Sequence, residues 1–354
     1  MSYSDKQTGT LTNRTIAGLG DVPALGLGCW AIGGPFHVPG AAGQADIPLG
    51  YGNADDAESI RAIHAGLDHG IRLFDTANVY GAGHSERILG QALKDRPDVL
   101  IATKLGVLFD ESSQQVLGEI TDASEVEPAI DGSLVRLQRD QLDLVQLHLN
   151  DANISLATDI FEALQSSRQK GKIRSFGWST DFSKSVTELL QKEPGLRDGF
   201  SCVQHAMNLF RDAGAMLDVV ADNKLTSLIR SPLAMGLLTG KFSSTTRLAD
   251  NDVRSNNLDW MAYFKDGVVV PEFLETLDSV RDCLTIDGRS LTQGAIGWIW
   301  GRSDRTVPLP GFRSAKQVED SAGALQFGAL PEAAMRDIEV LLGDKFKQTF
   351  AQAS

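Results

Sequence analysis

Asp75, Tyr80, Lys104 and His148 are four residues whose types, taken together, could hand a proton to a carbonyl oxygen. The first two stand close together in GIRLFDTANVYGAGHS (70–85), where a β-prone run ends on a carboxylate and a phenol follows five places later. A phenol has an unperturbed pKa of about 10 and is a poor acid at neutral pH. A nearby ammonium stabilises the phenolate and lowers that value. Lys104, closing the apolar run VLIATK, can be that ammonium, and Asp75 can keep it charged and in place. His148, inside LDLVQLHL, can donate a hydrogen bond to a carbonyl oxygen or help relay the proton. Such a set would polarise a carbonyl and protonate its oxygen as hydride arrives at carbon. Taken singly, each residue has an ordinary reading: a turn cap, a packed aromatic, a solvated strand end, a structural histidine. Their meaning depends on whether the fold gathers them.

The elements around them suggest that it does. Apolar, β-prone runs at 71–76, 99–104, 142–149, 173–179, 201–208, 226–233 and 305–312 read as seven strands, and GLGCWAIG (26–33) as an eighth before them. Amphipathic stretches at 55–69, 85–94 and 159–171 read as helices, the first ending at Gly70. Ser124-x-x-Glu127 reads as a capping box opening a helix to about Arg139. Eight βα units predict an α/β fold, a (β/α)8 TIM barrel whose strand ends converge on one mouth. Residues 14–30 begin with an expected β-hairpin that plugs the N-terminal end, and 331–345 add a C-terminal helix. Residues 34–54, 106–123 and 236–269 read as long irregular loops on the C-terminal face. No linker divides the chain, so one domain over 1–354 is expected. A doubly wound dinucleotide fold is rejected, because Gly26, Gly28 and Gly33 lack the G-x-G-x-x-G spacing and no helix follows directly.

Bulk properties bound the function. The 354 residues are 42% hydrophobic and 22% charged, the mixture of a soluble globular protein. A net charge of −13 argues against a nucleic-acid or anionic-membrane partner. Three cysteines far apart fit a reducing compartment and no metal site. No stretch is long and apolar enough for a membrane span, and MSYSDKQTGT has no signal-peptide core, so a cytoplasmic protein is expected. Assembly into a homo-oligomer is left open.

FDTANVYGAGHSERILGQAL, ATKLG, LDLVQLHLND, GKIRSFGWS, the Gln and Asn of QHAMNLF, SPLAMGLLTGKF and LPGFRSAKQVED together resemble the aldo-keto reductase superfamily, over about 14–325. The likeness is greatest to the bacterial branch carrying the PLAxGLLTGK segment. The resemblance implies a barrel that binds a nicotinamide cofactor, with Asp75, Tyr80, Lys104 and His148 as catalytic tetrad and Tyr80 as general acid. It also implies Ser179 and Gln204 at the nicotinamide carboxamide. Ser231, Leu233, Gly236, Leu238, Gly240 and Lys241 match the segment that wraps the pyrophosphate. Gly311, Arg313, Gln317 and Asp320 match the adenine end, where a helix N-terminus and Arg313 would take a 2′-phosphate and favour NADPH. Two departures stand out. Arg230 occupies a position that is often aromatic, where it could stack on nicotinamide, bind phosphate or contact substrate. Ser321 stands where asparagine is common.

Trp30, His37, Asn150 and Trp178 are expected at the substrate, with Phe36, Asp151, Trp260 and Tyr263 nearby. Aromatic planes mixed with polar groups suit a small-molecule carbonyl substrate that is hydroxylated or sugar-derived, reduced to its alcohol, which points to carbohydrate metabolism. Another class remains in view, because the superfamily includes potassium-channel β subunits that keep the barrel and cofactor yet act by binding a partner. A phosphate-binding barrel isomerase is the third possibility.

Overall fold

The computed structural model describes residues 13–343. Eight parallel strands form its centre: β1 (Leu27–Gly28), β2 (Leu73–Asp75), β3 (Leu100–Leu105), β4 (Leu142–Leu147), β5 (Ile173–Ser179), β6 (Phe200–Ala206), β7 (Thr226–Arg230) and β8 (Thr306–Pro308). Each strand lies beside its neighbour in the chain. The N–H groups of Gly26 and Gly28 donate to the carbonyls of Pro308 and Pro310, both at 3.0 Å, and bring β1 back against the β8 end. The sheet therefore closes into the expected (β/α)8 barrel. Strands β1, β2, β4, β6, β7 and β8 are shorter than their sequence patterns, β1 most of all.

Helices cover the barrel: α1 (Asp56–Asp68), α2 (His84–Ala92), α3 (Val126–Leu137), α4 (Ile154–Gln169), α5 (Ser183–Lys192) and α6 (Gly214–Asp222). Two more, α7 (Pro271–Leu284) and α8 (Leu291–Arg302), lie between β7 and β8, and α9 (Ala315–Gly323) follows β8. Helix α10 (Glu332–Leu342) is the expected C-terminal addition and packs on α7 and α8. The last two positions of its sequence pattern lie outside the described residues.

Period-two alternation arranges the barrel interior in layers. Leu73, Ala102, Leu144, Cys202 and Leu228 point inward and pack into one apolar cluster with Val307 and Leu309. Ile16, Leu19 and Val22 of the N-terminal hairpin (Arg14–Ile16 and Gly20–Val22) join that cluster and plug this end of the barrel. Arg14 Nε donates to the Thr306 carbonyl at 3.2 Å and Thr226 Oγ1 to the Thr15 carbonyl at 3.1 Å, which fixes the plug to the strands. Burying each large aliphatic side chain there contributes roughly 1.5–3 kcal/mol. Two residues further along the same strands stand Asp75, Lys104, Gln146, Gln204 and Arg230, so one register carries the chain from an apolar floor to a polar mouth.

Three local expectations change. Helix α3 does not open on Ser124. Asp122 accepts the Ser124 N–H at 2.8 Å, and a 3-10 turn (Ala123–Glu125) leads into the helix, because the earlier carboxylate is the stronger acceptor. Helix α4 begins five residues before its pattern, with Asn153 as its cap, whose side chain accepts the Leu156 N–H at 2.9 Å. Residues 34–54 and 106–123 are only partly irregular. They supply His37–Val38, Ile47–Pro48, Val107–Asp110 and Gln115–Glu119, which pair into a four-stranded sheet beside the barrel mouth. Strands of two residues are too short to show a period. Residues 236–269 likewise contain a small hairpin, Phe264–Lys265 with Val268–Val269.

Candidate active site

At the C-terminal end of the barrel, β2 delivers Asp75, β3 delivers Lys104, and the loop after β2 delivers Tyr80. His148 follows directly after β4, one residue beyond the strand rather than inside it. Lys104 is fully buried, and its Nζ donates to Asp75 Oδ2 at 2.6 Å and to the Thr76 carbonyl at 2.8 Å. The same nitrogen lies 3.5 Å from the Tyr80 hydroxyl, at the outer limit of hydrogen bonding. The Tyr80 and His148 rings meet edge to face with centroids 5.8 Å apart. The other Asp75 oxygen accepts from Gln204 Nε2 at 2.7 Å and Gln146 Nε2 at 3.1 Å. Both carboxylate oxygens are thereby satisfied, as a charge this deeply buried requires.

Electrostatics assign each group a form. Burial pulls the Lys104 ammonium down, but Asp75 and then Tyr80 more than offset it, and its pKa stands above the ordinary lysine value. Lys104 is charged. Burial, followed by the Lys104 and Arg230 cations, holds His148 well below the ordinary imidazole value. His148 is neutral and keeps one N–H to donate. Its buried Nδ1 has no hydrogen-bond partner among the described residues. Tyr80 departs from the sequence expectation. Burial raises its pKa, Lys104 opposes that without overcoming it, and the net direction is up. The phenol thus retains its proton at neutral pH.

These groups open into a cavity of about 1390 Å³. Among the residues expected at a cofactor, Ser179, Gln204, Arg230, Ser231, Leu233, Gly236, Lys241, Gly311, Arg313, Gln317 and Asp320 line it. Leu238 and Gly240 do not. Leu238 is buried in the core, and a Cβ on Gly240 would lie 2.5 Å from Leu291 Cδ1, so this turn packs on α8. Gln204 also serves Asp75, a role the sequence did not suggest. Among the residues expected at a substrate, Trp30 and Asn150 line the cavity. The Trp30 ring stacks on Tyr80 at 5.8 Å, and its Nε1 donates to the Leu49 carbonyl at 3.1 Å. Trp178 is excluded by parity. Gly177 and Ser179 face inward, so Trp178 faces the helices, where it packs on Phe161 and donates to the Leu149 carbonyl at 2.9 Å. His37 sits in the flanking sheet, paired with Pro48 and Gln115, outside the cavity wall.

The far end of the cavity suits an extended anion. Lys241, Arg254 and Arg313 all line it, and Arg254 and Arg313 contribute to holding Lys241 below its ordinary pKa, after burial. Ser231, Ala234, Met235 and Gly236 all take positive φ, between 48° and 92°. Strained backbone of this kind clusters at ligand clamps. Arg254, which sequence reasoning missed, fixes that turn. It donates to the Met235 carbonyl at 3.0 Å while pairing with Asp252 at 2.6 Å, and it stacks over the rings of Tyr51, Phe242 and Phe264. The α9 N-terminus, expected at a phosphate, meets protein groups in this structure. Glu58 Oε1 accepts the Ala315 N–H at 2.9 Å, and Ser314 Oγ accepts from Gln317 N at 3.4 Å. Arg313 lines the cavity while donating to the Tyr51 carbonyl at 3.0 Å and to the Asn53 carbonyl. Gln317 accepts the Arg313 N–H at 2.7 Å, and Asp320 accepts from Ser290 Oγ at 2.7 Å. The cation cluster and the strained turn fit a dinucleotide pyrophosphate, and Ser179 and the tetrad stand at the opposite end.

The sequence matches the model of the Aldo/keto reductase family over residues 24–342. It is 32% identical over 304 residues to the aldo-keto reductase YhdN of Bacillus subtilis (strain 168), covering 83% of this chain and 82% of that protein. The fold is similar to that of the glycerol dehydrogenase AKR11B4 from Gluconobacter oxydans, with a TM-score of 0.74, 29% identity, and coverage of 94% of this chain and 95% of that one. An aldo-keto reductase from Klebsiella pneumoniae, solved in complex with NADPH, shares the fold with a TM-score of 0.64 at 21% identity, over 93% of this chain and 95% of that one.

Proposed function

This chain belongs to the aldo/keto reductase family and is an oxidoreductase of carbonyl groups, and we propose that it reduces a hydroxylated, sugar-derived aldehyde to its alcohol with NADPH, with Tyr80 as general acid. The observation that carries this reading is the buried Asp75–Lys104 pair, whose ammonium reaches toward the Tyr80 hydroxyl at the cavity floor.

When bound, the nicotinamide cofactor supplies hydride to the carbonyl carbon. Tyr80 supplies the proton to the carbonyl oxygen, and the alcohol, NADP+ and a tyrosinate result. Lys104 stabilises that tyrosinate through its charge, which matters most in a site where water is scarce. Asp75 keeps Lys104 protonated, and Gln146 and Gln204 keep Asp75 oriented. Neutral His148 donates to the carbonyl oxygen and holds it against the phenol. A positioned general acid of this kind contributes roughly 10²–10⁴-fold to the rate. Ser179 would hold the carboxamide, the 231–236 turn with Lys241 and Arg254 the pyrophosphate, and Arg313, Gln317 and Asp320 the adenosine end. The Klebsiella structure supports NADPH as the dinucleotide. Trp30, Asn150 and the half-exposed Trp260 offer a flat apolar face and polar groups to a sugar-like chain.

The test is NADPH consumption by the purified protein with a panel of hydroxylated aldehydes, together with dissociation constants for NADPH and NADH. Turnover with NADPH is expected, and Arg313→Ala should weaken NADPH more than NADH. No turnover with any aldehyde would refute the activity. Equal weakening of both cofactors would place the 2′-phosphate elsewhere.

A further inference from the structure

A line of charged side chains runs from beside Lys104 toward the cavity mouth. Glu86, in the first turn of α2, is fully buried. One of its oxygens accepts from Oγ1 of Thr103, the residue before Lys104, and the other accepts from Arg136 Nε at 2.7 Å. Arg136 comes from the last turn of α3, and its side chain is 10% exposed. Its Nη2 donates to Ser133 Oγ at 3.3 Å, and its guanidinium lies over the Phe109 ring, 5.4 Å from the centroid. Its Nη1 donates outward to Glu111 Oε1 at 3.1 Å. Arg87 Nη2, from α2, donates to the second Glu111 oxygen at 2.5 Å. Two arginines and two glutamates close the line with no net charge.

The two ends of this line differ in kind. A buried carboxylate needs its cation, so the Glu86–Arg136 end belongs to the core, and breaking it would leave a charge unpaired out of water. Burial, Ser133 and Phe109 make Arg136 a rigid post. At the other end Glu111 and Arg87 are 41% and 51% exposed, where an ion pair adds little to global stability. What that end does is hold a position. Glu111 follows directly on the strand Val107–Asp110, which pairs with Gln115–Glu119 to form a hairpin. Val107, Val116, Gly118 and Glu119 of that hairpin line the cavity. Phe109 packs, with Val107 and Val116, on the cluster of Phe36, Ala77 and Val79 that also meets Tyr80. On its other edge the hairpin meets the His37 strand at the single pair His37–Gln115.

We propose that Glu111 is a positioning residue for substrate choice: anchored by Arg136 and Arg87, it pins the 107–119 hairpin as a cavity wall and sets the affinity for carbonyl substrates whose tails reach Val107 and Val116. The proposal rests on the carbonyl-reducing function above and adds a determinant of chain length. Glu111 does not itself line the cavity, so it acts through the hairpin. An aldehyde too short to reach that wall gains nothing from the pin. A longer chain buries its methylenes against Val107, Val116, Phe36 and Val79. A wall left free to move would have to be ordered by each substrate in turn, at a cost in affinity.

The experiment measures KM and kcat at saturating NADPH for straight-chain aldehydes from propanal to octanal, and for glyceraldehyde, in wild type and Glu111→Gln. Amide hydrogen exchange is followed in the same two proteins with NADPH bound. Glu111→Gln should raise KM for the longer aldehydes by roughly two- to fivefold, the range an ion pair of this exposure can supply. KM and kcat for propanal and glyceraldehyde should stay as in wild type. The amides of 107–119 should exchange faster in the variant, with those of β2, β3 and β4 unaltered. A merely structural role would depress the whole series together and would not split short from long. Equal or absent KM shifts across the series would overturn the proposal, and so would hairpin amides that exchange as in wild type. Absence of turnover with every aldehyde by wild type would overturn the underlying function and the proposal with it. Should Glu111→Gln fail to fold, Arg87→Gln replaces it. That variant removes one Glu111 partner and leaves Arg136, so it should shift the longer aldehydes in the same direction, and no such shift would sink the idea.

Discussion

Lys104→Met removes the ammonium from a site with almost no solvent, and the structure sets the size of the result. Lys104 is fully buried, and its ammonium is the cation paired with Asp75. After the substitution, Asp75 keeps only its two glutamine donors, Gln204 at 2.7 Å and Gln146 at 3.1 Å. A buried charge deprived of its partner typically costs about 3–5 kcal/mol of stability. The tyrosinate formed during turnover also loses its stabilising charge, so kcat should fall by roughly 10²–10⁴-fold. Two effects of one substitution can be separated by the double variant Asp75→Asn/Lys104→Met. It replaces the ion pair with neutral groups of similar shape, and the introduced amide oxygen can still accept from Gln204 and Gln146. Most of the stability should return, because a neutral replacement for a buried pair is often tolerated, while kcat should stay low. The assays are urea denaturation and single-turnover NADPH oxidation. If Lys104→Met matches wild type in stability, the pair is not the buried ion pair described. If the double variant recovers kcat together with stability, Lys104 acts only through folding.

Further consequences concern acid and backbone. Burial pushes the His205 imidazole down to about 4. The folded state therefore binds fewer protons than the unfolded one below the ordinary histidine pKa, so stability is lost as pH falls from about 6.5 toward 4, with His205 contributing roughly 3 kcal/mol and His148 adding to the same limb. His205→Asn should flatten that limb of a stability-versus-pH curve, and an unchanged slope would clear His205. Gly81, next to Tyr80, has φ +60°, and a Cβ there would lie 1.8 Å from the Gly33 carbonyl oxygen. Gly81→Ala should shift the Tyr80 loop and lower kcat well beyond any change in NADPH affinity, and an unaltered kcat would show that the loop accommodates it.

Much of the fold was legible because strand periodicity and barrel geometry are the same fact seen at two scales. Asp75, Lys104 and His148 sit at inward parity at or just past their strand ends, and Tyr80 follows β2 in a short loop. Parity also explains what was lost. Gln146 lies two residues after inward-facing Leu144, so the parity that turns Gln204 inward after Cys202 points to it as well. Trp178 was chosen for its side chain although its parity points it at the helices. Contacts between distant segments left no such trace: Glu58 on the α9 N-terminus and Arg254 under Met235 are separated from their partners by 257 and 19 positions. The raised Tyr80 pKa depends on burial, which outweighs the neighbouring lysine that the sequence offered.

The most direct test of the account is the single-turnover rate of Tyr80→Phe at saturating NADPH, measured alongside its NADPH affinity. The ring and its stacking on Trp30 survive this change, and only the hydroxyl is lost. The account predicts a rate lower by roughly 10²–10⁴-fold with NADPH affinity nearly unchanged. A rate close to that of wild type would mean that the proton comes from another group and that Tyr80 is not the acid.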